Sequence, residues 1–451
     1  MRLTSFGHAT VLIETGTERI LVDPWLTPEL DRFWEHFPAQ PPELLSMLDE
    51  EVDYIVFSHH HYDHHHFPSL VRLAEAREVD FDEAPLRAPD TVTVWPRGDG
   101  LPLLSYSGLG HQAIAWTQRR LGYSRSHGVR PGDVINLGRT RLRTLASRVP
   151  FPEMSLLFET PDATVMIAGD SVLHPDTESF FARPDAPAVD VALIPAHSLA
   201  PPGVLTQRRQ VGAPDDLVAR SAANFDRWTD VVGAGLTIPS SFGWRVRDSF
   251  AWCNTALFPF TPWQALRHLE SVGRPGALWG PGQILDVSHD GSVMSTGDFD
   301  FAAVSAAVTL DPAAGVPAFD PETDQVGRQR EPTERLVQRL MDHLVGTDFW
   351  YREIDGGADQ TITVYEDGGK ARGFVLDFTG ERVRPLPSEA GDGGAHTAIA
   401  GSTLQALFDA DLLMGSSYGL WTSDNALLSA VFHNPVWYVR HVDRALLEQR
   451  R

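Results

Sequence analysis

Cysteine is almost absent from this chain of 451 residues, which contains only Cys253. A single cysteine excludes an internal disulfide, a cysteine-based zinc finger and an iron–sulfur cluster held by several thiolates. It fits a reducing compartment, so we expect a cytoplasmic protein. Basic residues are also scarce, with 37 Lys and Arg against 60 Asp and Glu and a formal net charge of −23. This balance predicts that neither nucleic acid nor an anionic membrane is a partner.

Long apolar runs are missing as well. No stretch approaches the roughly 20 apolar residues that a membrane-spanning helix needs. The opening residues, MRLTSFGHATVLIE, have neither the apolar centre nor the small-residue cleavage site of a secretory signal. The sequence therefore predicts a chain without a membrane anchor or a leader in this opening segment.

Histidine, in contrast, is concentrated in one place. Residues 58–66 read SHHHYDHHH and contain six of the 18 histidines of the chain. The preceding residues, DYIVF at 53–57, form the short apolar, β-branched and aromatic run that is typical of a buried strand. The histidines thus lie where a strand ends, which is where sheets of α/β proteins commonly present a binding site.

Within this run, four residues form the pattern His-x-His-x-Asp-His: His59, His61, Asp63 and His64. Alternate residues of an extended segment point to the same side, so His59 and His61 can bind one metal ion. Once the loop bends, Asp63 and His64 can face a second ion. Imidazole and carboxylate ligands suit zinc, iron or manganese. We expect the other three histidines of the run to be supporting or surface residues.

The rest of the chain mixes short strands with amphipathic helices, which predicts an α/β protein in which helices cover a sandwich of sheets. Helices are expected at FPSLVRLAEAREV and DLVARSAANFDRWT, and a buried strand at VDVALIPAH. Residues 308–332 are rich in Pro, Asp and Gly and are predicted to form a linker. The linker would separate a catalytic domain at 1–307 from a small α+β domain at 333–451.

The metal pattern resembles the signature of the metallo-β-lactamase superfamily. SFGHATVLIETGTERILVDPWL at residues 5–26 is similar to the opening of the branch that includes phospholipase-D-like and lactonase-like hydrolases. Gly169-Asp170, at the end of ATVMIAGD, matches the aspartate that bridges the two metals in that family. The resemblance covers about residues 1–300. It implies an αββα sandwich with two metal ions, in which Asp23 supports a ligand histidine.

The chain departs from the hydrolytic members of this superfamily at two ligands. Those members have a third ligand histidine shortly before the bridging aspartate, whereas no histidine occurs between Thr144 and Asp170 here, and Glu153 is the predicted replacement. The last ligand is predicted to be His197, although a group near Ser240 and Ser241 stays an alternative. The implied ligands are His59, His61 and Glu153 on one ion, Asp63, His64 and His197 on the other, and Asp170 between them.

Replacing histidine by glutamate favours iron over zinc. The ligand set resembles that of the diiron β-hydroxylases of antibiotic biosynthesis, and the segments DPWLTPELDRFWEHFP, PEMSLLFE and ALWGPGQILDV resemble CMP-N-acetylneuraminate hydroxylase and its bacterial relatives. The latter carry a Rieske iron–sulfur domain, which one cysteine cannot build, so an external electron donor is expected. These resemblances imply a dinuclear-iron, O₂-dependent oxygenase that acts on a small molecule, with Asp63, Glu153 and Asp170 at the reacting centre.

A second interpretation stays open. The same site could hold zinc or manganese and hydrolyse an ester, an amide or a phosphodiester, with Asp63 handling the proton. Residues 333–451 contain no catalytic constellation and faintly resemble sterol-carrier-like folds. Such a domain would bind an apolar ligand or mediate a homodimer.

Overall fold

The computed structural model of the chain describes residues 1–30, 32–75, 91–97, 114–115, 117–118, 121–123, 125–149, 151–196, 214–258, 260–288, 293–297, 299–307, 317, 320, 322–345, 348–357, 359–386, 396–409 and 420–422. The strands in these ranges are β1 (Arg2–Gly7), β2 (Thr10–Glu14), β3 (Arg19–Val22), β4 (Trp34–His36), β5 (Tyr54–Val56), β6 (Val92–Pro96), β7 (Ser126–Val129), β8 (Val134–Leu137), β9 (Thr140–Ala146), β10 (Met154–Glu159), β11 (Thr164–Ile167), β12 (Val191–Pro195), β13 (Leu236–Ser240), β14 (Trp244–Val246), β15 (Ile284–Val287), β16 (Val293–Thr296), β17 (Gln360–Tyr365), β18 (Ala371–Asp377), β19 (Arg382–Pro385), β20 (His396–Ala400) and β21 (Leu420–Thr422). The α-helices are α1 (Phe67–Glu75), α2 (Pro175–Phe181), α3 (Pro214–Val232), α4 (Asn254–Leu257), α5 (Pro262–Ser271), α6 (Phe301–Ala307), α7 (Thr333–Leu344), α8 (Asp348–Gly356) and α9 (Gly401–Phe408). Two 3₁₀ helices span Pro42–Leu48 and Asp248–Cys253.

Two mixed sheets form the N-terminal part of the molecule. One has the strand order β16-β15-β1-β2-β3-β5-β6-β7, and the other has the order β13-β12-β11-β10-β9-β8. Strands β3, β5 and β6 of the first sheet run parallel, as do β11, β12 and β13 of the second. Both sheets therefore have an edge at which the carboxyl ends of several parallel strands meet, and binding sites commonly form at such an edge.

The alternation of side chains along the strands explains why the sheets stack face to face. On β2, Val11 and Ile13 belong to the core between the sheets, while Leu12 belongs to the core on the outer face of the first sheet. On β10, Leu156 enters the central core and Leu157 the core on the outer face of the second sheet. Because neighbouring strand residues point to opposite faces, each sheet is apolar on both sides and must be covered twice.

Helices supply the outer layers. On the second sheet, Phe225 and Trp228 of α3 and Leu269 of α5 pack in the outer core. On the first sheet, Phe67 and Leu70 of α1 do the same. The arrangement is helix, sheet, sheet, helix, which confirms the predicted αββα sandwich of the metallo-β-lactamase fold. The helices expected at 67–79 and 216–229 are present as α1 and α3, and the strand expected at 189–197 is present as β12.

A further sheet with the order β19-β18-β17-β20-β21 lies in the C-terminal part and carries α7 and α9 against it. This is the small α+β unit that the sequence predicts. The described part of the predicted linker hydrogen-bonds to this unit: Val326 N–H donates to Ser402 Oγ at 3.0 Å, and Glu331 N–H donates to Gln405 Oε1 at 2.8 Å. The proposed domain boundaries and the sterol-carrier resemblance stay predictions. Among the described residues, no helix is both long and apolar enough to span a membrane.

Candidate metal centre

The histidine run lies in the loop between β5 and α1, at the carboxyl edge of the parallel strands of the first sheet. Its bend is a turn in which the amides of His64 and His65 both donate to the carbonyl of His61, at 3.0 and 2.7 Å. Two further predicted residues approach from the second sheet. Glu153 precedes β10 and forms an isolated β-bridge with His59, and Asp170 follows β11.

The opening motif of the chain builds the turn that carries Asp23. The hydroxyl of Thr10 donates to the carbonyl of Asp23 at 2.6 Å and accepts from the amide of Trp25 at 2.9 Å. Asp23 itself has a φ of 45°, a left-handed conformation that aspartate tolerates better than most residues. Its side chain is consequently fixed and fully buried beneath the histidine loop.

Asp23 orients the loop through both carboxylate oxygens. Oδ1 accepts from the amide of Ser58 at 2.7 Å. Oδ2 accepts from the hydroxyl of Ser58 at 2.6 Å and from Nδ1 of His64 at 2.8 Å. With the proton of His64 on Nδ1, its Nε2 presents a lone pair, which is the arrangement of a metal-ligating histidine and its supporting carboxylate.

Ser58 orients His59 in the same way, through a hydrogen bond to Nδ1. Because the Ser58 hydroxyl donates to Asp23, it is free to accept from Nδ1 of His59, which lies 3.0 Å away. This hydrogen bond places the proton of His59 on Nδ1 and the lone pair on Nε2. Nε2 of His59 and Nε2 of His64 are both buried and have no hydrogen-bond partner among the described residues.

Close approaches between charged groups define two ligand clusters in the described part of the chain. His59, His64 and Asp170 each offer a ligand atom within 4.8 Å of the other two, and so do His8, Asp63 and His64. Asp170 Oδ2 lies 3.3 Å from Nε2 of His64, and Asp63 Oδ2 lies 3.9 Å from the same atom. Two ligands on one ion at about 2.0–2.2 Å stand at most about 4.4 Å apart, so these pairs fit a shared ion.

The protonation equilibria of these groups show a strongly negative site. Burial opposes the charged form of His64, but the carboxylates of Asp170, Asp63 and Asp23 outweigh it and raise the pKa of His64 well above its ordinary value. Burial lowers the pKa of His59 well below its ordinary value, and the neighbouring His64 and His61 add to this effect. Divalent cations would replace the proton of His64 as the positive charge that compensates these carboxylates.

Glu153 lies beside this centre in a fully buried position. Its Oε2 accepts from the hydroxyl of Ser147 at 2.8 Å, and its Oε1 lies 3.6 Å from Nδ1 of His59. Burial, reinforced by the charge of Asp170, raises the pKa of Glu153 to about 8. Oε1 has no hydrogen-bond partner among the described residues. It is a buried acceptor without a donor, as expected for an oxygen that faces a cation.

The structure brings together only part of the predicted ligand set. His59, Asp63, His64 and Asp170 belong to the two clusters, and His64 is common to both. His61 and Glu153 border the centre but belong to neither cluster: the ring of His61 packs at 4.5 Å from that of His59. His197 lies outside the described residues. The predicted division of ligands between two ions therefore stays a prediction.

The alternative to His197 is partly described. Ser241 is buried, and its hydroxyl donates to the carbonyl of Gly169 at 2.8 Å. This contact fixes the turn that presents Asp170. Gly169 has a φ of 61°, and a Cβ there would lie 3.3 Å from Cβ of Ser58, so glycine permits this approach.

The structure corrects one part of the expectation about the other three histidines of the run. We expected its remaining histidines to be supporting or surface residues, but His60, His65 and His66 are all at most 1% exposed. Nε2 of His65 lies 3.2 Å from Nε2 of Gln118, and Nδ1 of His66 lies 2.7 Å from the hydroxyl of Ser69. They are therefore not surface residues, and a supporting role for them stays a prediction.

Sequence reasoning gave little weight to two residues of the site. Ser58 is the shared hydrogen-bond partner of Asp23 and His59, and its only sequence signal is its position directly before the first ligand histidine. His8 is not part of the predicted ligand set, yet its Nε2 lies 3.1 Å from Asp63 Oδ2. The signal for His8 was its place at the end of β1, on the edge where the other site residues gather.

The described donors fit a metal centre. Two buried imidazole nitrogens, Nε2 of His59 and Nε2 of His64, lack hydrogen-bond partners among the described residues. Three carboxylates, those of Asp63, Glu153 and Asp170, each have an oxygen within 4 Å of one of these two imidazoles. Comparison with known families agrees. Residues 2–201 match the model of a family described as the beta-lactamase superfamily domain. The match covers somewhat less than half of the chain, and this part of the chain is similar to that superfamily.

Several known proteins are similar to shorter or longer parts of the chain. A UPF0173 metal-dependent hydrolase of Pyrobaculum aerophilum is 27% identical over 199 residues, which are 44% of this chain and 73% of the relative. The cytidine monophosphate-N-acetylneuraminic acid hydroxylase of Danio rerio is 36% identical over 76 residues, 17% of this chain and 13% of the relative. The crystal structure of CmlA, a diiron beta-hydroxylase from Streptomyces venezuelae, is 16% identical with a TM-score of 0.42, and the match covers 65% of this chain and 53% of CmlA. The chain thus spans about half the length of CmlA.

Proposed function

We propose that the protein is a dinuclear-iron, O₂-dependent oxygenase that hydroxylates a small molecule, such as an intermediate of natural-product biosynthesis. The observation that carries this proposal is Glu153, a buried carboxyl beside His59 in the stretch between Thr144 and Asp170, which contains no histidine. A carboxylate in place of an imidazole suits iron better than zinc. The local similarity to a cytidine monophosphate-N-acetylneuraminic acid hydroxylase supports the same direction.

The residues of the chain would hold and shield this centre. When bound, a pair of iron ions supplies the activation of O₂. Asp23 and Ser58 fix the tautomers of His64 and His59, and Asp63, Glu153 and Asp170 supply negative charge. A cavity of about 50 Å³ lies next to His8, and its lining includes the aromatic side chains of Phe242, Trp263 and Trp279. This lining would suit an apolar group of the substrate. The electron donor would be a separate protein.

A second candidate is a zinc or manganese hydrolase of an ester, an amide or a phosphodiester. The similarity to the UPF0173 metal-dependent hydrolase favours it, since that match covers most of the relative. In this case Asp63, 16% exposed and next to His8, would be the group that accepts a proton. Burial opposes its ionisation, but the charge of His64 and the hydrogen bond from His8 together hold the pKa of Asp63 below its ordinary value.

Metal analysis of anaerobically purified protein separates the two candidates. About two irons per chain, with an optical or Mössbauer spectrum that changes on exposure to O₂, would support the oxygenase. Two zinc or manganese ions and no response to O₂ would refute it, and esters, amides and phosphodiesters would then be screened.

The variant Glu153→His tests the observation on which the oxygenase proposal rests. It should shift metal content from iron towards zinc and abolish O₂ consumption. The control Glu159→His changes another buried carboxylate, at the far end of β10, whose partner is Arg141 at the surface. Unchanged iron content in Glu153→His would show that Glu153 does not select the metal.

A further inference from the structure

His8 makes a contact with the centre that the two candidate reactions do not require. Its side chain is 2% exposed, and its Nε2 lies 3.1 Å from Asp63 Oδ2. Its ring packs edge-on against the rings of Trp25, at 5.9 Å, and His64, at 5.1 Å. The position of His8 is therefore fixed from two sides, and its nearest polar neighbour is a carboxylate of the metal pattern.

The backbone conformation of His8 also fixes its position. Its φ is 49°, a left-handed conformation that is uncommon for histidine. A Cβ on Gly243 would lie 2.4 Å from both N and Cα of His8, so the chain after β13 closes on this turn without leaving room for a side chain. A conformation of this kind persists only where the surrounding structure holds it, and such positions cluster at functional sites.

The hydrogen-bond pattern distinguishes a positioning role from a ligand role. A carboxylate only accepts, so the contact with Asp63 needs the proton of His8 on Nε2. A histidine that binds a metal leaves one nitrogen for the ion and donates the other N–H to an acceptor. His64 follows this rule through Asp23, which lies beneath the loop, whereas the N–H of His8 points at Asp63, a carboxylate of the metal pattern itself. Nδ1 of His8 has no hydrogen-bond partner among the described residues, which suits a bare lone pair better than a buried N–H.

We propose that His8 is a positioning residue of the metal centre: its Nε2–H holds the Asp63 carboxylate beside His64, and His8 does not bind the metal itself. The inference rests on the metal centre of the proposed function but not on the choice between oxygenase and hydrolase. One carboxylate oxygen is held by His8, so the orientation of Asp63 is set before an ion binds. Less of the binding free energy of the ion is then lost in ordering Asp63.

Titration of the metal-free protein with Co²⁺ tests the proposal, because the visible spectrum of Co²⁺ reports the number and geometry of its ligands. His8→Phe keeps a ring but removes the donor. His8→Gln has no imidazole but keeps an N–H at a similar reach. Losses of supporting groups commonly weaken metal binding about 10- to 100-fold. We expect His8→Phe to weaken one of two binding steps by that factor, and His8→Gln to recover it to within a few-fold.

The possible outcomes separate the alternatives. Two unchanged steps in His8→Phe would overturn the proposal. A step that is lost equally in His8→Phe and His8→Gln, with an altered Co²⁺ spectrum, would make His8 a ligand and overturn it as well. If His8→Phe does not fold, His8→Gln decides alone, since wild-type steps support the positioning role and a lost step refutes it. Wild-type protein that binds no Co²⁺ would instead refute the metal centre itself.

Discussion

Asp23→Asn replaces one carboxylate oxygen by an NH₂ group in the side chain that orients the histidine loop. The two oxygens of Asp23 accept three hydrogen bonds, one from the amide of Ser58, one from its hydroxyl and one from Nδ1 of His64. Asparagine has one oxygen, so one side of the group must become a donor. The amide of Ser58 is a fixed donor, whereas the Ser58 hydroxyl can rotate and His64 can change tautomer. The oxygen of asparagine should therefore face the Ser58 amide, and its NH₂ should face His64.

The consequence falls on metal binding. With an N–H facing its Nδ1, His64 carries its own proton on Nε2, the atom that is 3.3 Å from Asp170 and is available to the metal. Changes in the supporting partner of a ligand histidine commonly cost about 10- to 100-fold in metal affinity. That factor corresponds to about 1.4–2.8 kcal/mol at 1.4 kcal/mol per tenfold change. The global stability of the metal-free protein should change less, because every hydrogen-bonding group keeps a partner.

The assay is competition between the protein and a chelator for Zn²⁺ or Co²⁺, combined with denaturant unfolding of the metal-free forms. Asp190→Asn is the matched control, because Asp190 also accepts from a backbone amide, that of Thr164 at 2.8 Å, but contacts no histidine among the described residues. Wild-type metal affinity in Asp23→Asn would refute the reasoning. So would an equal loss in Asp190→Asn, which would indicate a general effect of replacing a carboxylate that accepts from a backbone amide.

Two further predictions concern stability. Burial lowers the pKa of His36 to about 3. Below about pH 6.5 the unfolded chain takes up a proton on this residue and the native state does not, so His36 alone should lower the stability by about 2–3 kcal/mol from pH 7 to pH 4.5. His36→Gln should reduce this loss in denaturant titrations at the two pH values, the exposed His127→Gln should not, and parallel curves for all three proteins would contradict the argument. Gly243→Ala should lower the denaturant midpoint of unfolding, because its Cβ would clash with the backbone of His8. Gly356→Ala is the control and should be near neutral, because the space around its Cβ is open. Equal midpoints for the two variants would show that the turn at His8 adjusts to the added Cβ.

The sandwich could be predicted because its signals are local. An apolar run at 53–57 and regular strands such as β10 depend on side-chain period alone, and the histidine pattern marks the loop after β5. The burial of His65 and His66 was not predictable in this way. It follows from the turn at His61 that begins α1, which packs both side chains against residues of other segments, including Gln118.

The candidate site was predicted where ligands follow one another in sequence and less well where they come from distant segments. His59 and His64 share a loop, so their proximity follows from spacing. Glu153 was inferred from a resemblance, and its distance of 3.6 Å to His59 depends on how the two sheets stack. His8 was undervalued because a lone histidine after a strand has no spacing partner. Its contact with Asp63 exists only once β1 lies two strands away from β3 in the same sheet.

The excess of negative charge is the physical reason to expect cations at this site. Asp23, Asp63, Glu153 and Asp170 lie around two imidazoles. Burial opposes the charged form of His64, but the carboxylates raise its pKa, and burial together with the charge of Asp170 raises the pKa of Glu153. Burying several carboxylates together is unfavourable unless positive charge compensates them. Protons on His64 and Glu153 compensate part of it, whereas two divalent ions would neutralise four carboxylates and bring the partnerless oxygen of Glu153 a positive neighbour. The same residues that make the metal-free site costly are thus the ones that bound cations would stabilise.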